Sequence, residues 1–297
     1  MEFKQKAAEL LKKPFLSFGW TPDYENIGIY YQRAANQFAN TDITESIECY
    51  NLATDYLLKG GIIFEAAKCQ ELLGKLLKRN NKWETSVVAY EKAGELFRQL
   101  TQNDTASDMF SSAAQVAEQL KDIKSASTLY IKAVDVLVDN DKGVLSHDIF
   151  KKSTGFFLKN SLYTDAIELY IKQIKVLAAY KKPGIYKLQL SIFLIHLHQD
   201  ASIASDYLNT CISDLGGSAA SMALLGGSTV ELPSELQSAQ SILSAYQAND
   251  SKSLSSAVKN VLMFLDVEVA KLATQLTVKT PQQPAPIHYD IQEESFL

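Results

Sequence analysis

A pattern that recurs every forty residues constrains this fold more than any other feature of the sequence. The same tyrosine returns at that spacing, as Tyr50, Tyr90, Tyr130 and Tyr170. Three residues later come Ala53, Ala93, Ala133 and, breaking the series, Gln173. Seven residues after the tyrosines come Leu57, Phe97, Leu137 and Leu177. Offsets of 0, 3 and 7 describe one face of an α-helix, and the small residue lets a neighbouring helix approach closely. The pattern therefore predicts a helix that is repeated along the chain.

The other half of each block also has the pattern of a helix, as in AAKCQELLGKLLKRN and ASDMFSSAAQVAEQL. A short turn residue, suited to closing a helix, stands at the same point of three blocks, as Asn40, Asn80 and Asn160. A repeated helix pair can bury its apolar face only against the next pair. The fold class that we expect is therefore all-α: a right-handed, tetratricopeptide-like solenoid of antiparallel helix pairs. Its helices should be longer than those of the standard repeat of about 34 residues.

The forty-residue pattern divides the chain into three expected regions, because it holds in the first part of the chain and is lost after about residue 200. Residues 1–200 are expected to form the helical-repeat solenoid, with an apolar loop at 14–20. A Gly/Ser-rich stretch, GGSAASMALLGGST, interrupts the chain at 216–229. Residues 201–278 are expected to form a C-terminal helical bundle that caps the solenoid. Residues 279–297 contain three prolines and an acidic, then apolar end, which is typical of a flexible tail.

Composition and charge narrow the class of protein further. Apolar residues make up 46% and charged residues 21% of the chain, as in ordinary folded domains. The net charge of −5 argues against a nucleic-acid partner. Three cysteines without CxxC spacing favour reduced thiols in the cytosol. No secretory signal or membrane-spanning run is present in the sequence, so we expect a cytoplasmic protein whose membrane contact is peripheral.

No group of residues has the pattern of an active site. His196 and His198 are two residues apart, which places them on different sides of a helix, about 200° apart. Such a pair does not easily share a metal ion. The double glycines of the interrupted stretch lack the lysine and the strand of a phosphate-binding loop. We therefore expect neither an enzyme nor a metal or cofactor site.

A column of basic residues accompanies the repeat. Two residues after the repeat tyrosines come Lys92, Lys132 and Lys172, while Leu52 breaks the series, and Arg33 follows Tyr31 in the same way. Lys151 and Lys152, together with Lys175, would widen the column. At 100° per residue these cations lie away from the buried stripe and point to solvent. Such a column is either an ordinary solvated face or a row of cations for a long acidic partner, such as a helical bundle.

The two ends of the chain carry apolar residues outside the repeats. KPFLSFGWTPDY, residues 13–24, places Phe15, Leu16 and Phe18 between two expected helix ends. These side chains either pack under the first helices or remain exposed beside Lys12 and Lys13 as a weak membrane contact. The end of the tail, EESFL, could dock on a basic, partly apolar surface. It comprises Glu293, Glu294, Ser295, Phe296 and Leu297.

Two stretches resemble a known family. KAAELLKKPFLSFGWTPDYENIGIYYQRAANQF contains an aromatic loop, a W-x-P-D-Y run and a Y-x-x-A-A helix, and IHLHQD lies in the late helices. Both are similar to stretches of the soluble NSF attachment proteins, the SNAPs, and most of all to their gamma type. The similarity covers most of the chain and is strongest at the start.

The resemblance implies an adaptor rather than an enzyme. Such a protein would bind SNARE complexes, which are four-helix bundles of syntaxin-type proteins. It would also recruit the hexameric ATPase NSF, which disassembles them in vesicle fusion and intracellular protein transport, including transport between the ER and the Golgi. No cofactor is implied.

The resemblance also suggests roles for individual residues. Lys92 matches a basic position of the family, and the repeat frame of this sequence extends that role to Lys132 and Lys172. The SNARE-contacting basic face that we expect also includes Arg33, Lys151 and Lys152. The family's membrane-attaching loop corresponds to Phe15, Leu16 and Phe18. The leucine near its C-terminus, implicated in stimulating the ATPase, corresponds to Leu297, beside Glu293, Glu294 and Phe296.

Two other interpretations remain open. A generic tetratricopeptide-like scaffold would hold a short peptide in its groove, and its packing residues would look much the same. An α-helical enzyme that uses His196 or His198 is disfavoured, because no catalytic pattern accompanies them. Binding to an assembled bundle would favour the adaptor, whereas binding to a short free peptide would favour the scaffold.

Overall fold

The computed structural model describes residues 2–12, 21–138, 147–223 and 232–278, of which 216–223 are described by their backbone alone. Every regular element within these ranges is a helix. The chain divides into two units, Met1–Pro183 and Gly184–Leu297. The expected all-α, tetratricopeptide-like class is confirmed, since successive helices pack in pairs through the first unit.

The first unit is a series of helices, and those in its middle have the same length. Its helices are α1 Glu2–Leu10, α2 Tyr24–Phe38, α3 Ile43–Lys59, α4 Ile63–Arg79, α5 Trp83–Gln99, α6 Asn103–Gln119, α7 Ile123–Val138, α8 His147–Lys159 and α9 Tyr163–Ala179. Helices α3 to α6 are each 17 residues long and begin twenty residues apart. The forty-residue period therefore contains two similar helix–turn units.

The turns repeat as regularly as the helices. After six helices, α3 to α6, α8 and α9, one residue adopts a left-handed conformation with φ between 51° and 75°: Gly61, Asn81, Thr101, Lys121, Ser161 and Lys181. After α3, Ile62 N donates to Leu57 O and Gly61 N donates to Leu58 O, which is a Schellman closure of the helix. The same pair of bonds closes all six of these helices within three residues.

Asparagine closes two of the helices as the sequence predicts. The side-chain amide of Asn80 donates to Leu76 O at 2.7 Å, and that of Asn160 donates to Phe156 O at 2.8 Å. Asn40 differs, because it lies beyond α2 and its Oδ1 accepts from Arg79 Nη2 at 3.0 Å. Only the first two therefore cap the helix that they follow.

The repeated stripe is the core of this unit. All four repeat tyrosines are at most 4% exposed, and Ala53, Ala93 and Ala133 are fully buried. Gln173 is also buried, and its Nε2 lies 3.4 Å from His147 Nδ1 of α8. Neighbouring helices are also joined by serine hydroxyls, as where Ser86 Oγ donates to Gly74 O at 2.9 Å.

Helices two apart in the chain lie side by side, so the first unit has two layers. Ion pairs join α1 to α3, α5 to α7 and α7 to α9. On the other side, Arg79 of α4 donates to Ala39 O at the end of α2. We call the solvent side of α1, α3, α5, α7 and α9 the odd-helix face.

The second unit is a helical bundle around α10. Its helices are α10 Ile185–Gln199, α11 Ala201–Ala223, α12 Ser234–Gln247, α13 Ser251–Val261, a 3-10 helix Leu262–Phe264, and α14 Val267–Thr274. Helix α10 packs on α11, α12 and α14 and buries five side chains completely: Leu190, Ile192, Phe193, Leu194 and Ile195. It is therefore grouped with this bundle, whereas the sequence placed it at the end of the repeats.

Helix α11 continues through Gly216 and Gly217 to Ala223. The predicted interruption at 216–229 is thus wrong in its first residues, because two glycines weaken a helix without ending it. Among the described helices, none combines the length and apolar character needed to cross a membrane.

Candidate partner-binding surface

Two lysines of the predicted column form ion pairs between repeats. Lys132 Nζ on α7 lies 2.6 Å from Glu91 Oε1 and 3.7 Å from Glu95 Oε1, both on α5. Lys172 Nζ on α9 lies 2.7 Å from Asp135 Oδ1 on α7. Lys4 on α1 makes a similar pair with Glu45 on α3. Each pair joins one helix of the odd-helix face to the preceding one.

The acidic partners follow the same frame as the lysines. Asp55, Glu95 and Asp135 stand five residues after their repeat tyrosines. Two of them are reached by the lysine that stands two residues after the next tyrosine, Glu95 by Lys132 and Asp135 by Lys172. The paired side chains remain between 36% and 41% exposed. Exposed pairs of this kind each contribute about 0.2–1 kcal/mol to stability. Sequence analysis missed these carboxylates, although their recurrence every forty residues was a signal that could have found them.

Lys92 is different from the other two lysines. Its side chain is exposed, and no residue in the described ranges forms an ion pair with it, Asp55 included. Asn51 occupies the frame position that Glu91 holds in the next repeat. Of Lys92, Lys132 and Lys172, Lys92 is therefore the one that forms no ion pair with a described residue.

The other predicted basic residues lie on the second layer of helices. Arg33 is on α2, with its guanidinium carbon 5.9 Å from the ring of Phe3. Lys151 and Lys152 are exposed residues of α8. Burial raises the pKa of Asp108 on α6, and the charge of Lys152 works against that rise. The structure thus brings Lys92, Lys132 and Lys172 onto one face and leaves these three residues on helices of the other layer.

A cleft of about 490 Å³ opens beside the paired lysines. It is lined by Glu95 and Arg98 of α5, Phe110 of α6, and Lys132 and Asp135 of α7, among others. The Lys132 ammonium lies 5.7 Å from the centre of the Phe110 ring. Arg98 Nη2 lies 2.7 Å from Glu95 Oε2. Cations and carboxylates therefore alternate around this cleft.

The candidate residues at the two ends of the chain are not described. Phe15, Leu16, Phe18 and Trp20 lie outside the described ranges, as do Glu293, Glu294, Phe296 and Leu297. The part of the opening stretch that is described begins α2. Asp23 caps that helix by accepting from Asn26 N at 3.1 Å, and the ring of Tyr24 stacks 6.3 Å from that of Tyr56.

His196 lies in the second unit against an aromatic side chain. Its ring centre is 5.4 Å from that of Tyr207 on α11, and burial lowers its pKa. A short exposed apolar segment lies elsewhere in this unit, where Met263, Phe264 and Val267 are 82%, 50% and 62% exposed. Neither feature places acid, base and nucleophile together.

Comparison with known proteins agrees with the resemblance seen in the sequence. Residues 21–141 match the family model described as soluble NSF attachment protein, SNAP. The gamma-soluble NSF attachment protein of Dictyostelium discoideum is 25% identical over 278 residues, which cover 88% of this chain and 78% of the relative. The predicted resemblance is thereby confirmed. The matched stretch includes Lys92 and Lys132, with both carboxylates of α5.

Proposed function

We propose that this chain, similar to the soluble NSF attachment proteins, is an adaptor that binds SNARE four-helix bundles and recruits the NSF ATPase to disassemble them. It would act in vesicle fusion and intracellular transport without catalysing a reaction itself. The observation that carries this proposal is the row of lysines on the odd-helix face, with Lys92 exposed and unpaired among the described residues. Two lysines of this row, Lys92 and Lys132, lie in the part of the chain that matches the family model.

The spacing of the row suits a helical partner. Packed helices lie about 8–10 Å apart, so cations on successive odd helices recur at about that distance. Residues seven apart on an α-helix are about 10.5 Å apart along its axis. Carboxylates that recur every heptad on an acidic bundle would therefore meet one lysine per repeat, and their opposite charges would speed and orient the encounter.

Charge reversal at Lys92 tests the bundle contact directly. Since Lys92 has no internal ion pair within the described residues, Lys92→Glu changes the surface without breaking a contact between repeats. We expect it to weaken binding of an assembled SNARE bundle by about two- to tenfold at physiological salt, because one attraction becomes a repulsion. The measurement is a titration of labelled bundle with the full chain.

Lys159→Glu is the matched control, since Lys159 is an exposed residue of α8 on the other layer. Equal weakening by both variants would mean that only net charge matters. A wild-type chain that captures neither the bundle nor the ATPase in a pull-down would refute the adaptor function. Binding to a short free peptide, with no bundle present, would favour the peptide scaffold instead.

The membrane contact and the ATPase contact are proposed on residues outside the described ranges. Phe15, Leu16 and Phe18 would attach the adaptor peripherally to membranes, and Glu293, Glu294, Phe296 and Leu297 would contact the ATPase. Phe15→Ser with Phe18→Ser should reduce cosedimentation with liposomes and leave the melting temperature nearly unchanged. Met263→Ser with Phe264→Ser removes equally apolar, exposed side chains of the second unit and should leave liposome binding intact.

A further inference from the structure

We infer that Glu91, Glu95 and Asp135 compete with an acidic partner for Lys132 and Lys172, and so set the affinity and selectivity of the odd-helix face. This inference rests on the proposed function for the identity of the partner. It adds three acidic residues to the binding surface, as groups that hold the lysines until a partner displaces them.

The geometry allows such an exchange without opening the core. Each lysine ammonium contacts a carboxylate at 2.6 Å or 2.7 Å, yet more than a third of each side chain remains exposed. The buried stripe of tyrosines and alanines lies beneath these pairs. A lysine can therefore turn from an internal carboxylate to an external one by rotating its side chain.

The charges balance at this point of the face. Two lysines and Arg98 carry three positive charges, and Glu91, Glu95 and Asp135 carry three negative charges. An isolated acidic peptide would replace one internal carboxylate at a lysine by one of its own, so it would gain little binding free energy. A partner with several carboxylates in a row gains more, because its charges act together and the internal carboxylates return to water.

Lys92 supports this division of roles. It forms no ion pair with a described carboxylate, so it is available for the first contact with a partner. The other two lysines would join once the partner lies along the row. The face would thus favour a densely acidic bundle over a single acidic segment.

A different interpretation of the same pairs is purely structural, with the ion pairs only holding the repeats together. Asp55 separates the two interpretations, because it occupies the same frame position as Asp135 on an odd helix but pairs with no described lysine. Asp55→Asn and Asp135→Asn change the net charge equally. Only Asp135→Asn releases a lysine.

The experiment titrates an assembled acidic four-helix bundle, at physiological salt, with the wild-type full chain, Asp135→Asn and Asp55→Asn. We expect Asp135→Asn to bind about two- to fivefold more tightly than wild type, which is the size of one exposed ion pair. Asp55→Asn should change the affinity by less than about 1.5-fold, since screening limits remote charges. Equal tightening by both variants, or no change with either, overturns the competition and leaves the proposed function standing. Failure of every chain to bind the bundle refutes the proposed function, and the competition falls with it.

Lysine labelling checks the pairing in the free protein. Acylation followed by mass spectrometry should modify Lys92 faster than Lys132 and Lys172 in the wild-type chain. In Asp135→Asn, the rate at Lys172 should rise toward that of Lys92 while the rate at Lys132 stays low. Equal rates at all three lysines in the wild-type chain would contradict the inference.

Discussion

Substitution of Gly94 by alanine is expected to destabilise the first unit, although alanine is the better helix former. Gly94 lies inside α5, and a Cβ added there would be only 2.9 Å from Cε1 and 3.0 Å from Cδ1 and Cζ of Phe110. That ring is 1% exposed and has little room to move. Overpacking costs about 1–3 kcal/mol, and replacing a helical glycine by alanine gains about 0.5–1 kcal/mol. We expect a net loss of about 1 kcal/mol in the free energy of unfolding.

A second substitution isolates the cause. Phe110→Leu removes the ring and should cost about 1–2 kcal/mol by itself. In the double variant the new methyl group has room, so only the gain in helix stability from replacing glycine by alanine remains. The double variant should therefore be at least as stable as Phe110→Leu alone. The coupling energy should therefore be about 2 kcal/mol in favour of the pair, measured by urea unfolding followed by circular dichroism. Additivity within about 0.5 kcal/mol, or stabilisation by Gly94→Ala alone, would refute the close approach.

Three further predictions concern the turns, the thiols and the histidine. Thr101→Gly should raise the free energy of unfolding by about 0.5–1 kcal/mol, because Thr101 holds a φ of 58° that glycine adopts without strain. Thr128→Gly, inside α7, should lower it in the same urea assay. Burial raises the pKa of Cys69 to about 12, so Ellman's reagent at about pH 8 should label the native thiol far more slowly than the unfolded one. Fast native labelling would contradict this. Burial lowers the pKa of His196, so the unfolded chain binds more protons just below about pH 6.5 and stability should fall as the pH drops through that range. His196→Phe should weaken this dependence, and an unchanged slope of urea midpoint against pH would show that another group is responsible.

The fold was predictable from the sequence where its signals are local and periodic. Tyr90, Ala93 and Phe97 lie on one turn after another of the same helix, so their burial follows from spacing alone. Asn80 is a polar turn residue at a helix end, and its capping role needs no knowledge of the rest of the chain. These features required only that neighbouring repeats pack in the same way.

The remaining features depend on contacts between distant residues. Thr101 carries no glycine-like signal, yet the helices on both sides of it force a left-handed turn. Lys132 forms an ion pair with Glu91, which is forty-one residues away in the chain. That pairing depends on how α5 and α7 lie against each other. Sequence analysis could place the lysine on the surface, but it could not tell a free cation from a paired one.

The ion pairs contribute little to stability, and this is what would permit them to serve the proposed binding face. Two exposed pairs contribute about 0.4–2 kcal/mol together, whereas a folded domain is typically stable by about 5–15 kcal/mol. A partner that takes both Lys132 and Lys172 therefore leaves the buried stripe as the main source of stability. Had these lysines been buried with their carboxylates, breaking each pair would cost about 3–5 kcal/mol, and no surface partner could exchange for them at that cost. Their partial exposure, near 40% on both sides, is thus the property that a reversible contact requires.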